Sequence, residues 1–117
     1  MQQKNKHIFV FGIFAVDLSF YVDKKVKPGE TIIAKSSNIG PGGKASNQAI
    51  SARKLGASTT LITRLGNDNF NSYAHDIWRR EKLFASTKID KSLPTGMAGI
   101  FIDDKTGENS VIVDPGA

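Results

Sequence analysis

The sequence predicts an α/β protein: a Rossmann-like, three-layer parallel-sheet core, incomplete within 117 residues, carrying a small antiparallel β lid. Three observations predict it. A short, continuously apolar run opens the chain at 7–12. The hydrophobic period switches to helical spacing at Ala45, after which strand and helix patterns alternate as far as residue 90. Extended, turn-punctuated stretches at 17–35 and 97–113 do not fit that alternation and pair into a separate sheet.

His7-Ile8-Phe9-Val10-Phe11-Gly12 is rich in aromatic and β-branched residues and reads as a strand buried on both faces, as in parallel sheets. Asp17 to Val22 reads as a second strand. Lys27-Pro28-Gly29-Glu30 is a turn, Thr31 to Lys35 is extended, and Ile39-Gly40-Pro41-Gly42-Gly43 reads as a glycine-rich loop. Ala49, Ala52 and Leu55 recur at helical spacing. Gly56 stands as C′ residue, and Arg53 and Lys54 complement the dipole of the last turn. Ser58 to Leu65 is a β-branched strand. Asn69 to Leu83 is a helix with Tyr73, Ile77 and Trp78 as its stripe and Asp68 or Asn69 as its cap. Ser86 to Asp90 is a short strand. Met97 to Ile102 and Ser110 to Val113 form a hairpin around Asp103-Asp104-Lys105-Thr106-Gly107-Glu108. The whole of 1–117 reads as one unit, with lid strands at about 14–40 and 97–113 and core segments at 7–12 and 44–90.

Composition bounds the function. Apolar residues are 39% and charged residues 23%, and no apolar run reaches the ~20 residues of a membrane span. The polar start and short apolar stretch do not make a secretory signal. The absence of cysteine excludes disulfides, thiolate metal sites and a cysteine nucleophile, and fits a cytoplasmic location. The net charge of +5 comes from scattered residues, such as Lys24, Lys25, Lys27, Arg79 and Arg80. That scatter favours solvated surface charge over a nucleic-acid surface. His7 and His75 have no acidic partner at ligand spacing, and Asp103 and Asp104 sit in a hairpin turn, so neither a metal site nor a paired-carboxylate site is expected.

The densest chemical signal is Gly40-Pro41-Gly42-Gly43-Lys44-Ala45-Ser46-Asn47. Glycines before a helix N-terminus allow close backbone approach and expose free N–H groups, which suits a polyhydroxy or anionic ligand. A P-loop would need glycine at Asn38 and a hydroxyl at Ala45, so that reading fails. Gly40-x-Gly42-x-x-Ala45 satisfies a dinucleotide fingerprint. The acidic residue expected ~20 positions later is missing, however, with Arg64 in that region, and the loop does not follow the first strand.

The same segment resembles the first signature of the ribokinase-like (PfkB) sugar kinases: Gly42-Gly43, Lys44, Ala45, Asn47, Ala49, then Gly56 and Gly66. Gly12 and Asp17, Pro28-Gly29-Glu30-Thr31, and Thr95-Gly96 with its following hairpin match further family features in the same order. The resemblance implies an N-terminal portion of an ATP-dependent kinase that phosphorylates a sugar primary hydroxyl. The sugar would lie between core and lid. Asp17 would accept hydrogen bonds from its hydroxyls, and Gly42 and Gly43 would admit close approach. Lys44 and Asn47 would make polar contacts, and Ala98 and Ile100 would cover the sugar. It further implies a homodimer through the lid strands, and ATP with Mg2+ as the complete enzyme's requirements. Ribose is the sugar expected, although Ala15 stands where the family usually has Asn. The second family signature, a Gly-Ala-Gly-Asp-type segment holding the catalytic base and anion hole, is absent. No catalytic residue, bound cofactor or turnover is therefore expected of this chain alone. The alternatives are a noncatalytic sugar-binding or dimerising module, and a fragment of a fructose or nucleoside kinase.

Overall fold

The computed structural model describes residues 6–117; the polar start, Met1 to Asn5, lies outside them. Nine elements follow in order: β1 (His7–Phe11), β2 (Ala15–Val22), β3 (Ser36–Gly42), α1 (Lys44–Lys54), β4 (Ser58–Gly66), α2 (Asn69–Arg80), β5 (Phe84–Asp90), β6 (Gly96–Asp103) and β7 (Asn109–Asp114).

The core is a parallel sheet in the order β1-β4-β5. Leu61 and Leu65 of β4 are fully buried beneath the two helices, together with Ala45 and Ala49 of α1 and Ala74, Ile77 and Trp78 of α2. Phe14, on the connection from β1 to β2, is 1% exposed and meets Trp78 edge-on at a ring-centroid distance of 5.3 Å. The indole N–H of Trp78 donates to Ser46 Oγ at 3.3 Å, so its one polar atom is satisfied inside the core.

Both helices end as their sequences dictate. Gly56 takes φ 90°, with its N–H donating to the Arg53 carbonyl and the Ala57 N–H to the Ala52 carbonyl, which is the Schellman arrangement. α2 stops at Arg80, three residues before the predicted Leu83. Lys82 adopts φ 53° there, and Leu83 N–H donates to Trp78 O in the same arrangement, built without glycine. Asp68 caps α2, accepting from Asn71 N–H at 3.2 Å.

β1 departs from its expected burial on both faces. Phe9 and Phe11 are 68% and 83% exposed, and Phe84, beside Thr60 on the same sheet face, is 67% exposed. The helices of this chain cover only the opposite face, so two of the three expected layers are present.

The second sheet runs β3-β2-β6-β7. Its outer pairs, β2/β3 and β6/β7, are antiparallel hairpins as expected, but its central pair, β2/β6, is parallel. The strands that meet, β2 and β6, each run outward from the carboxyl end of a core strand, so their joint is parallel. The predicted extended stretch Thr31 to Lys35 is not a strand. β3 instead occupies Ser36–Gly42, including most of the predicted glycine-rich loop. At the far end of the lid, Lys35 Nζ bridges Asp104 at 2.6 Å and Asp23 at 3.0 Å, and these two carboxylates push its pKa up to about 12.

Candidate functional site

The lid rises from the carboxyl end of the core sheet, and the two enclose an open cleft of about 720 Å³. Its core side carries Lys44, Asn47 and Gln48 of α1. Its lid side carries Asp17 of β2 beside Ala98 and Ile100 of β6 and Val111 and Val113 of β7, and Phe11, Ile13 and Ala15 complete the lining. The register explains the composition. Asp17 pairs with Ala98, Ala98 with Val113, and Ile100 with Val111, so side chains on one face of three adjacent strands turn to the same side.

Asp17 is positioned by a missing side chain. A Cβ built on Gly42 would lie 2.2 Å from Asp17 Oδ1 and 2.6 Å from Oδ2, so the carboxylate lies directly over this glycine. Burial pushes the Asp17 pKa above its ordinary value of 3.8, and no other group offsets it. A half-buried carboxylate without a partner is a strong acceptor for hydroxyl donors entering the cleft.

Gly43 follows at φ 89° as the N-cap of α1, with no side-chain cap and no acidic residue in the first turn. The helix therefore turns uncapped N–H groups toward the cleft mouth. A Cβ on Gly43 would strike the Ile13 carbonyl at 2.4 Å, so the need for glycine here comes from the core-to-lid connection packed against it.

Of the sequence-predicted residues, Asp17, Gly43, Lys44, Asn47, Ala98 and Ile100 line one cleft, and Gly42 lies beneath Asp17. Sequence reasoning missed Gln48, Phe11, Ile13, Val111 and Val113. The two valines follow from the hairpin at 97–113, whose period-2 register places Val111 and Val113 beside Ile100 and Ala98.

The pfkB family carbohydrate kinases match residues 5–117. The chain belongs to this family. A ribokinase of Dictyostelium discoideum is 35% identical over 112 residues, which are 95% of this chain and 35% of that protein. The solved ribokinase of Giardia lamblia superposes with a TM-score of 0.87 at 31% identity, over 94% of this chain and 36% of that one. Arabidopsis thaliana ribokinase, solved with ribose and ATP, superposes at 0.80 with 29% identity over the same shares. The pfkB chain described here thus spans about a third of the length of the relatives it matches. Among the described residues no three His, Asp or Glu side chains gather as a metal site. No helix among them is long and apolar enough to cross a membrane.

Proposed function

We propose that this chain is the sugar-binding portion of an ATP-dependent kinase that phosphorylates a sugar primary hydroxyl, with ribose as the sugar. One observation carries the reading: Asp17, freed of partners and set over Gly42, shares a single cleft with Lys44 and Asn47, beside the apolar lid residues Ala98, Ile100, Val111 and Val113. A monosaccharide has hydroxyls for the polar groups and C–H surface for the apolar ones. Asp17 accepts two hydroxyl protons in hydrogen bonds, Asn47 gives and accepts one each, and Lys44 donates. These residues bind and orient. The proton acceptor for the attacking hydroxyl and the donors for the moving phosphoryl charge are assigned to sequence outside these 117 residues.

The lid's other face supports pairing with a second copy of the chain. It presents Phe20 stacked on Phe101 at 6.2 Å, beside exposed Ile39 and Ile112. We place the protein in the cytoplasm, where a cysteine-free sugar kinase would meet its substrates.

Titration calorimetry with ribose, 2-deoxyribose, fructose and adenosine tests the reading. Ribose binding by the wild-type chain, lost in Asp17→Asn and accompanied by no ATP consumption, supports it. Binding that survives Asp17→Asn, or phosphorylation by this chain alone, overturns it.

A further inference from the structure

Three connections join the elements of lid and core, Gly12–Phe14, Gly43, and Lys91–Thr95, and the segment after β7 folds back on the third, Ala117 N–H donating to the Pro94 carbonyl at 2.7 Å. Two of them turn at glycines with positive φ, Gly12 at 157° and Gly43 at 89°, and carry no long-range side-chain hydrogen bond. The third is built differently. It starts with Asp90, whose Oδ1 accepts from Ser92 N–H at 2.8 Å, Ser92 Oγ–H at 2.9 Å and Leu93 N–H at 2.9 Å. It ends at Thr95, which is fully buried.

Thr95 is held from both sides. Its N–H donates to Asp68 Oδ2 and its hydroxyl to Asp68 Oδ1, each at 2.8 Å. The same hydroxyl accepts from Gly66 N–H at 3.0 Å. Asp68 is itself fixed as the cap of α2, and Asn71 Nδ2 donates to the Gly66 carbonyl at 3.1 Å. A Cβ on Gly66 would sit 2.4 Å from Thr95 N, so the end of β4 and the entry to β6 touch backbone to backbone. The next residue, Gly96, begins β6, whose Ala98 and Ile100 line the cleft. The long-range side-chain hydrogen bonds from core to lid entry, among the described residues, all meet at Thr95.

We propose that Asp68 and Thr95 are positioning residues: their clamp sets the angle between the two sheets, and so the separation of the lid residues Asp17, Ala98 and Ile100 from Lys44 and Asn47 of α1. Neither residue lines the cleft. Asp68 caps α2 on the core, and Thr95 leads straight into β6. The clamp adds directional bonds at the root of β6 to the burial of Phe14 and Val16 that seats the root of β2. Thr95→Val keeps the shape of the side chain and removes the donor to Asp68 and the acceptor for Gly66. Thr95→Ser keeps both.

The angle can be read without any ligand. The chain has no cysteine, so Ser37→Cys on the lid and Ser51→Cys on α1 take spin labels at two chosen points. Pulsed dipolar spectroscopy of the folded pair should give one narrow distance distribution. Thr95→Val should broaden it, Thr95→Ser should restore it, and Asp68→Asn, which keeps a cap on α2, should broaden it like the valine. An unchanged distribution in Thr95→Val overturns the proposal, as does equal broadening by Thr95→Ser. Should Thr95→Val fail to fold, Asp68→Asn decides alone on the same terms. For the role in binding, which rests on the sugar-site reading, Thr95→Val should weaken ribose affinity about tenfold while Thr95→Ser stays within about twofold of wild type. A wild-type chain that binds no ribose sinks the sugar-site reading and leaves the label distances to judge the clamp.

Discussion

Replacing Gly42 by alanine tests how the acceptor carboxylate is held. The new Cβ would start 2.2 Å from Asp17 Oδ1 and 2.5 Å from Cγ, about an ångström inside ordinary contact. Asp17 has one short, rigid carboxylate, so relief comes by turning to another rotamer, away from the groove over β3. Gly42 is not among the positive-φ positions, so the backbone adds no strain of its own. The carboxylate then loses both proposed sugar contacts. Hydrogen bonds to a charged acceptor contribute about 1.5–3 kcal/mol each, so ribose affinity should fall roughly 10²- to 10⁴-fold. Calorimetric titration measures the affinity, and a thermal melt of the same sample checks that the chain remains folded. A folded Gly42→Ala chain with wild-type affinity would refute the argument that Asp17, seated over Gly42, receives the sugar.

Three further outcomes follow from the packing and the charges. Phe14→Ala removes a fully buried ring from the edge of Trp78 and should cost about 3–5 kcal/mol in urea denaturation. Lys82→Gly relieves a left-handed backbone at the end of α2 and should stabilise the chain by about 1 kcal/mol in the same assay. Ribose affinity should fall with pH through a carboxyl group titrating above 3.8, because Asp17 binds hydroxyls in its ionised form and burial raises its pKa. The sign for the unliganded chain is opposite: a carboxyl whose folded pKa is raised takes up its proton more readily when folded, so its contribution to stability grows as pH falls. Calorimetry from about pH 4 to 7 reads the first trend; urea denaturation over the same range reads the second, which should disappear in Asp17→Asn.

The alternation of strand and helix from 44 to 90 was legible because Leu61, Leu65, Ala74, Ile77 and Trp78 follow clear periods and both helices carry end signals. β3 was not. Gly40, Pro41 and Gly42 resemble a loop because these residues are depleted in strands, yet β3 is an edge strand, where proline loses little. Gly42 is there because Asp17 occupies the space above it. β1 is legible as a strand, but the exposure of one of its faces is not. A run such as Ile8-Phe9-Val10-Phe11 states that both faces are apolar and does not state whether this chain supplies the cover. The parallel joint between β2 and β6 left no trace, because hairpin signals describe nearest neighbours and not how one hairpin meets another. Asp17, Lys44 and Asn47 came through the family resemblance. Taken alone, each would have passed for a turn, surface or helix-start residue.

That parallel joint also dictates when the binding cleft can exist. Ala15 pairs with Gly96 and Val22 with Asp103, partners roughly 80 residues apart, while each flanking hairpin is local. On a ribosome, β2 and β3 emerge early and wait with one edge unsatisfied until β6 has been made. Asp17 has neither Ala98 nor Ile100 beside it before that moment. A sugar would therefore be retained only by chains whose last lid strands have already docked, which makes ligand capture a direct readout of completed folding.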